Sequence, residues 1–168
     1  MTTPFPLNHS TQIPDNALLD ISGKQTYLGN SFILGTGTIS LSDTNEHLEL
    51  ALVNTSTSGK ALFINGRRLS SSAGVYMKMY IGPTGVSGTP AIPLNLRPAY
   101  STSSVVTAYS SPSASANGTL VSTILSVGAV AESNLLYVLD PGETALFTVT
   151  ALSSSALTAF FEINWYEL

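Results

Sequence analysis

Hydrophobic and polar side chains alternate with a period of two along several short segments of this chain. The clearest segment is His47–Val53, where Leu48, Leu50 and Leu52 fall on one side of an extended backbone and are expected to face inward. A period of two is typical of β-strands that bury one face. Other segments predicted as strands are 32–34 with 39–41, 60–64, 75–81, 104–109, 119–127, 137–139, 144–150 and 156–166.

Glycine, proline and asparagine mark the ends of these segments. Asn65-Gly66 predicts a tight hairpin or turn, because both residues tolerate a positive φ. Asp140-Pro141-Gly142-Glu143 matches a type II turn, with proline second and glycine third. Glycines at Gly35-Thr36-Gly37 predict a kink or bulge within one strand. The pattern gives roughly eight to ten short strands and no amphipathic helix, which predicts an all-β fold: an antiparallel β-sandwich, specifically a jelly roll.

The first residues differ in composition from the rest of the chain. Pro4, Pro6 and Pro14 fix φ and remove backbone donors, so residues 1–22 are predicted to form an extended N-terminal arm. Such an arm is either a floppy terminus or a segment that lies along a neighbouring protein. Residues 23–168 are then a single β-sandwich domain, since no linker or internal repeat divides them.

Charge is scarce, and its distribution limits the function classes. Charged residues make up only 10% of the chain, and none lies between Pro98 and Ala131. A long uncharged stretch suggests strands and loops that another protein covers. The net charge of −4 argues against nucleic-acid binding, which normally needs a basic face. No apolar run approaches the roughly 18 residues of a membrane helix, and the N-terminus does not read as a signal peptide, so a soluble protein is expected.

Residues that could carry chemistry are few. Cysteine is absent, and the two histidines, His9 and His47, cannot supply a cupin-like metal site. Ser58-Gly59-Lys60 resembles the end of a phosphate-binding loop, but Asn54 and Ala61 stand where that motif needs glycine and Ser or Thr. The acidic residues lie mostly in turns or at polar strand positions, and no serine-nucleophile elbow is present. The sequence therefore predicts no enzyme activity, no metal and no cofactor.

A family resemblance adds to this interpretation. The strand–polar loop–strand run Leu50–Ile64, the later Leu139-Asp140-Pro141-Gly142-Glu143 and the ending Trp165-Tyr166-Glu167 resemble structural proteins of tailed phages. With its low charge and proline-bearing arm, the chain is similar to capsid cement (decoration) proteins. That resemblance covers residues from about 30 to the end, and it implies a jelly roll, often trimeric, that sits between major capsid subunits.

The expected function is therefore structural. The resemblance implies a decoration protein, made in the host cytoplasm, which binds the outer face of the major capsid protein as a homotrimer and stabilises the virion shell. A tail or fibre component with the same kind of sequence is an alternative. A carbohydrate-binding module is another, in which exposed tyrosines stack on sugar rings. The candidate partner-contact residues are Phe5, Leu7, Ile13 and Leu18 in the arm, and Tyr100, Val105 and Tyr109 in the uncharged stretch.

Overall fold

The computed structural model describes residues 21–100, 102–134 and 136–168. The candidate arm residues Phe5, Leu7, Ile13 and Leu18 lie outside these described residues. The elements are α1 (Ile21–Tyr27), β1 (Ser31–Gly35), β2 (Ile39–Leu41), β3 (Glu46–Val53), β4 (Leu62–Ser71), β5 (Gly74–Ile81), β6 (Ser87–Ala91), β7 (Leu94–Asn95), β8 (Thr107–Ser113), β9 (Thr119–Val127), β10 (Val130–Ser133), β11 (Tyr137–Leu139), β12 (Thr144–Ala151) and β13 (Leu157–Glu167).

The strands form two antiparallel sheets. The seven-stranded sheet, here sheet A, has the order β10-β4-β13-β1-β7, with β11 also beside β4 and β2 beside β13. The six-stranded sheet, here sheet B, has the order β6-β8-β3-β12-β5-β9. Without the inserted β6, β7 and β8, the order β10-β4-β13-β1 over β9-β5-β12-β3 is that of a jelly roll. The prediction of an all-β sandwich is confirmed.

The core lies between the sheets and follows the predicted alternation. In β5, Val75, Met77 and Met79 are fully buried, whereas Lys78 lies on the opposite face, as the sequence pattern predicts. The largest side chains in the core are Trp165, Phe147 and other residues of β1, β12 and β13. Because each strand alternates, its second face remains outside the sandwich and is available for contacts.

The predicted type II turn and the predicted glycine kink are both confirmed. The Glu143 N–H donates to the Asp140 carbonyl oxygen at 3.0 Å, and Gly142 has a φ of 98°, as a type II turn requires. The glycine-rich break after β1 separates it from β2, and both strands pair with β13. Gly37 adopts a φ of 71° in that break.

The predicted turn at Asn65-Gly66 is wrong, because both residues lie inside β4. Gly66 pairs with Asn164 and Ile64 with Trp165, so Asn65 is the extra residue of a β-bulge. A Cβ at Gly66 would collide with the Asn164 side chain. A side chain at this position would therefore force the Asn164 amide group to move.

The inward position predicted for Leu48 is also wrong. Leu50 and Leu52 are fully buried in the core, but Leu48 is half-buried and does not belong to it. The register between β3 and β12 shifts between Phe147 and Thr148, so that Leu48 pairs with Thr148. Because a one-residue slip turns the following side chains to the other sheet face, Leu48 faces outward together with Thr148.

The short helix α1 was not predicted. It packs against β1 and β13 at the start of the described chain, and its last turn contains Lys24. Seven residues are too few for the apolar periodicity that identifies a helix from sequence. No helix in the described part of the chain is long and apolar enough to cross a membrane.

Arg67 is an unusual member of the interior. It is 3% exposed, and its cross-strand partner Ile163 belongs to the core. Its Nη2 donates to the Ser133 hydroxyl at 3.0 Å, whereas Nε and Nη1 have no hydrogen-bond partner among the described residues. Burial lowers the pKa of this guanidinium. A charge held in this way lowers stability, since its hydration is lost without an ionic partner.

Replacing Arg67 with methionine is therefore expected to raise the free energy of unfolding, by about 1–3 kcal/mol. The measurement is urea denaturation followed by circular dichroism. Arg68→Met is the matched control, because Arg68 is half-exposed and contacts Glu132 and Glu162 at 3.5 and 3.8 Å. That control should lower stability by less than about 1 kcal/mol. A loss of stability in Arg67→Met would contradict the expectation.

Candidate interaction surface

The uncharged stretch contains one outer strand, β9, which borders sheet B. Four of its apolar side chains, Leu120, Val121, Leu125 and Val127, are between 37% and 69% exposed. Ile124 and Ser126 alternate with Leu125 and Val127 and are buried on the core side. β9 pairs with β5 on one side only, so its other side presents an unpaired backbone edge among the described residues.

The remaining edges of the sandwich carry features that block pairing. β6 contains Pro90, which has no N–H to donate, and its register with β8 is irregular. β7 has only two residues, and β2 and β11, which each pair with one strand of sheet A, have three. β10 has four, and its Glu132 faces Arg68 at 3.5 Å. β9 is different because its nine residues include no proline and no charge.

A second apolar surface lies at the opposite side of the sandwich. Ile92, Leu94 and Leu96, on and beside β7, are 83%, 67% and 40% exposed. β7 ends sheet A on one side, whereas β10 ends it on the other and contacts β9. The described chain therefore carries apolar side chains at two opposite edges.

Tyr100 is held beside this second surface. The Arg97 guanidinium lies 4.3 Å from the Tyr27 ring centroid and 4.4 Å from that of Tyr100, so one cation contacts two aromatic faces. A Cβ at Gly29 would lie 2.7 Å from the Tyr100 ring, which shows how closely that ring covers the backbone. Tyr100 remains about one-third exposed (37%). Its ring is thus fixed in place and still accessible to a partner.

Val105 is placed differently, because a buried carboxylate anchors its backbone. The Val105 N–H donates to Glu167 Oε1 at 3.1 Å, and the Ser104 hydroxyl donates to the same oxygen at 2.5 Å. Trp165 Nε1 donates to it at 3.4 Å, and Lys60 Nζ lies 3.9 Å from Oε2. The Glu167 side chain is fully buried. Val105 itself is half-buried and packs against the core.

Tyr109 belongs to a third set of contacts, on the outer face of sheet B. It pairs with Ala51 of β3 and with Pro90 of β6, and it is half-buried. The structure therefore places the three candidate contact residues in separate surroundings: Tyr100, Val105 and Tyr109. Whether each binds a partner stays a prediction.

A polar cluster fixes the centre of that outer face. Glu46 Oε1 accepts hydrogen bonds from Lys78 Nζ at 2.8 Å and from Tyr80 Oη and Thr148 Oγ1, both at 2.9 Å. Its Oε2 accepts from Asn117 Nδ2 at 3.1 Å. Partial burial raises the pKa of Glu46, but the hydrogen bonds outweigh this effect and hold the pKa below its usual value. One carboxylate thus joins three strands of sheet B to the loop before β9.

The sequence of β9, which is predicted as a strand, combines apolar with small polar residues and has neither proline nor charge. Such a strand is distinctive once it is known to lie at the edge of a sheet. The edge position itself depends on the strand order, which the local pattern does not contain. The contact of Arg97 with two tyrosines likewise had no local signal.

Within the described residues, no group of three or more His, Asp or Glu side chains is placed to hold a metal ion. A shallow groove on the outer face of sheet A is lined by Arg68, Glu132, Glu162 and Asn164, whose charged groups already contact one another. The chain matches no protein-family model and no curated protein sequence.

Proposed function

We propose that this chain is a structural protein of a virus particle, a decoration protein that binds the outer face of the major capsid protein and stabilises the shell. The observation that carries the proposal is the pair of exposed apolar surfaces at opposite edges of one sandwich. Contiguous apolar surface on a soluble domain is typical of protein–protein contact sites. The same surfaces almost lack charge, which matches the composition of interface centres.

The mechanism is mechanical. A sandwich with contact surfaces at two opposite edges holds two neighbours together at once, and at least one of them is a capsid subunit. Each contact adds interface area that must be broken before the shell opens. The candidate contact residues of the predicted arm would add further contact area to the same interface. The copy number of three is supported only by the resemblance to decoration proteins.

The test uses particles of the virus whose genome carries this sequence. Mass spectrometry of purified particles is expected to detect the chain at a fixed ratio to the major capsid protein. Particles made without it should release their genome at a lower temperature, and adding the purified protein should restore the normal temperature. Absence of the chain from particles would overturn the proposal.

A pair of variants locates the capsid contact. Ile92→Glu places a charge on the apolar surface beside β7 and is expected to lower occupancy on particles at least about tenfold. Leu136→Glu is the matched control. Leu136 is also exposed (57%), but it lies directly before β11 rather than beside β7, so the occupancy of this variant on particles should be unchanged. Equal occupancy of the two variants would exclude the surface beside β7 as the contact.

A carbohydrate-binding function is the second candidate. Tyr76 and Tyr80 share the outer face of sheet B, as their alternation with buried Val75, Met77 and Met79 requires. Because the Tyr80 hydroxyl is engaged by Glu46, the ring is held in a fixed position. Binding in a glycan screen, combined with absence from particles, would favour this function.

A further inference from the structure

The free edge of β9 points to a contact between copies of this chain. We propose that two copies join their β9 strands antiparallel across a two-fold axis, so that their six-stranded sheets become one continuous sheet. An unpaired edge presents a row of N–H and C=O groups that another strand can satisfy. Proteins usually block such edges, and β6, β7 and β10 are blocked by proline, short length or charge.

The absence of charge favours a second copy as the occupant. A two-fold axis places each strand against itself, so any charged side chain on β9 would face a like charge nearby. β9 has none, and the uncharged stretch extends on both sides of it. Lys78, which lies on the neighbouring β5, is already neutralised by Glu46 at 2.8 Å. β10, which contacts β9, carries Glu132, and this carboxylate lies 3.5 Å from Arg68. The charges nearest to the edge are therefore paired with opposite charges on the same copy.

The side chains of β9 also suit a symmetric arrangement. The register with β5 is regular from Ser122 to Val127, and it shifts before Ser122. Within the regular part, Thr123, Leu125 and Val127 face outward, opposite the buried Ile124 and Ser126. With the axis at Leu125, this residue meets its own copy, and each Thr123 meets a Val127. β-Branched and aliphatic cross-strand pairs of this kind stabilise antiparallel sheets.

The two-fold pair and the trimer implied by the resemblance make different predictions. A two-fold contact uses the same surface on both copies, whereas a three-fold ring brings β9 against a different surface of the next copy. The apolar surface beside β7 is the obvious complement in a ring, because it lies at the opposite edge. Variants of the two edges therefore separate the two arrangements.

The experiment is light scattering after size exclusion over a range of protein concentrations. The wild-type chain is expected at twice its mass of 17.6 kDa. Leu125→Glu should raise the dissociation constant at least about tenfold, since two carboxylates would then face each other across the axis. Ile92→Glu, the matched control at the other edge, should leave the pair intact. Circular dichroism checks that both variants keep the β fold.

Three outcomes would overturn the proposal. They are a monomeric or three-chain wild type, a Leu125→Glu variant that stays paired, and an Ile92→Glu variant that also dissociates, because the last indicates a ring. If Leu125→Glu fails to fold, hydrogen exchange on the wild type decides instead. The amides of Thr123–Val127 should exchange more slowly as concentration rises, whereas those of β6 should not change. Pairing through β9 does not depend on the virion role, so a paired protein absent from particles would overturn that role alone.

Discussion

Replacing Glu167 with alanine is expected to lower the free energy of unfolding by about 3–5 kcal/mol, because three hydrogen-bond donors lose one shared acceptor. The Glu167 carboxylate is fully buried and accepts from the Val105 N–H at 3.1 Å. Without it, that N–H, the Ser104 hydroxyl and the Trp165 indole N–H lose their shared acceptor in the interior. Chemical denaturation followed by tryptophan fluorescence measures the loss, since Trp165 reports on this position.

Two variants control for this effect. Glu167→Gln keeps the size and one carbonyl oxygen, so it should cost about 1–2 kcal/mol, mainly through the lost charge opposite Lys60. Glu132→Ala removes a carboxylate that is 66% exposed and should change stability by less than about 1 kcal/mol. Equal losses in Glu167→Ala and Glu132→Ala would show that the buried carboxylate does not anchor the segment.

Glu167→Ala also tests whether this carboxylate holds a predicted contact residue in place. Glu167 fixes the segment that carries Val105, one of the predicted contact residues. Release of this segment should speed hydrogen exchange at residues 102–106 while β5 and β12 remain protected. A partner that uses Val105 would then bind more weakly, because it must first order the segment.

The strands that could be predicted are those whose information is local. β5 is the clearest example, because Val75, Met77 and Met79 are buried, the residues between them are not, and one buried face is enough to impose a period of two. The turn at Asp140–Glu143 could also be predicted, since proline and glycine fix its φ angles directly. The fold class follows from the number and spacing of such segments.

Features that depend on pairing could not be predicted. Asn65-Gly66 has the composition of a turn, but the approach of Asn164 places it in a bulge. Leu48 has the inward position in the local pattern, and a bulge opposite Thr148 turns it outward. Both departures originate in a partner strand about 100 residues away, which no local pattern contains.

The carboxylates of Glu46 and Glu167 were even harder to predict from the local sequence. At a polar strand position, an acid is normally read as solvated, and this is how Glu46 and Glu167 appear in the sequence. Glu46 instead bonds Thr148, 102 positions away, and Glu167 bonds Ser104, 63 positions away. Their partners converge only once the sheet order is set. The candidate surface has the same origin, since the edge position of β9 is a property of the whole sheet.

Replacing Glu46 with alanine is the second prediction of large effect, with an expected loss of about 2–4 kcal/mol. Lys78 and Tyr80 would lose a charge-assisted hydrogen bond each, and the fully buried Thr148 would lose its acceptor. Asn117 would be released as well, which loosens the loop before β9. Urea denaturation compares this variant with Glu132→Ala, whose carboxylate lies in an exposed ion pair.

The contribution of Glu46 should depend on pH in a defined direction. Its folded-state pKa lies below the ordinary value of 4.5, so its stabilising effect is complete above that pH and is lost as pH falls through the folded pKa. The hydrogen bond with Glu46 raises the pKa of Lys78 above 10.5, so the contribution of Lys78 is complete below 10.5 and is lost as pH rises through the raised value. The stability difference between wild type and Glu46→Gln should therefore stay constant between about pH 6 and pH 9, and shrink in acid. A difference that grows as pH falls below 4.5 would mean that the folded protein favours the protonated acid, contrary to the geometry of its four donors.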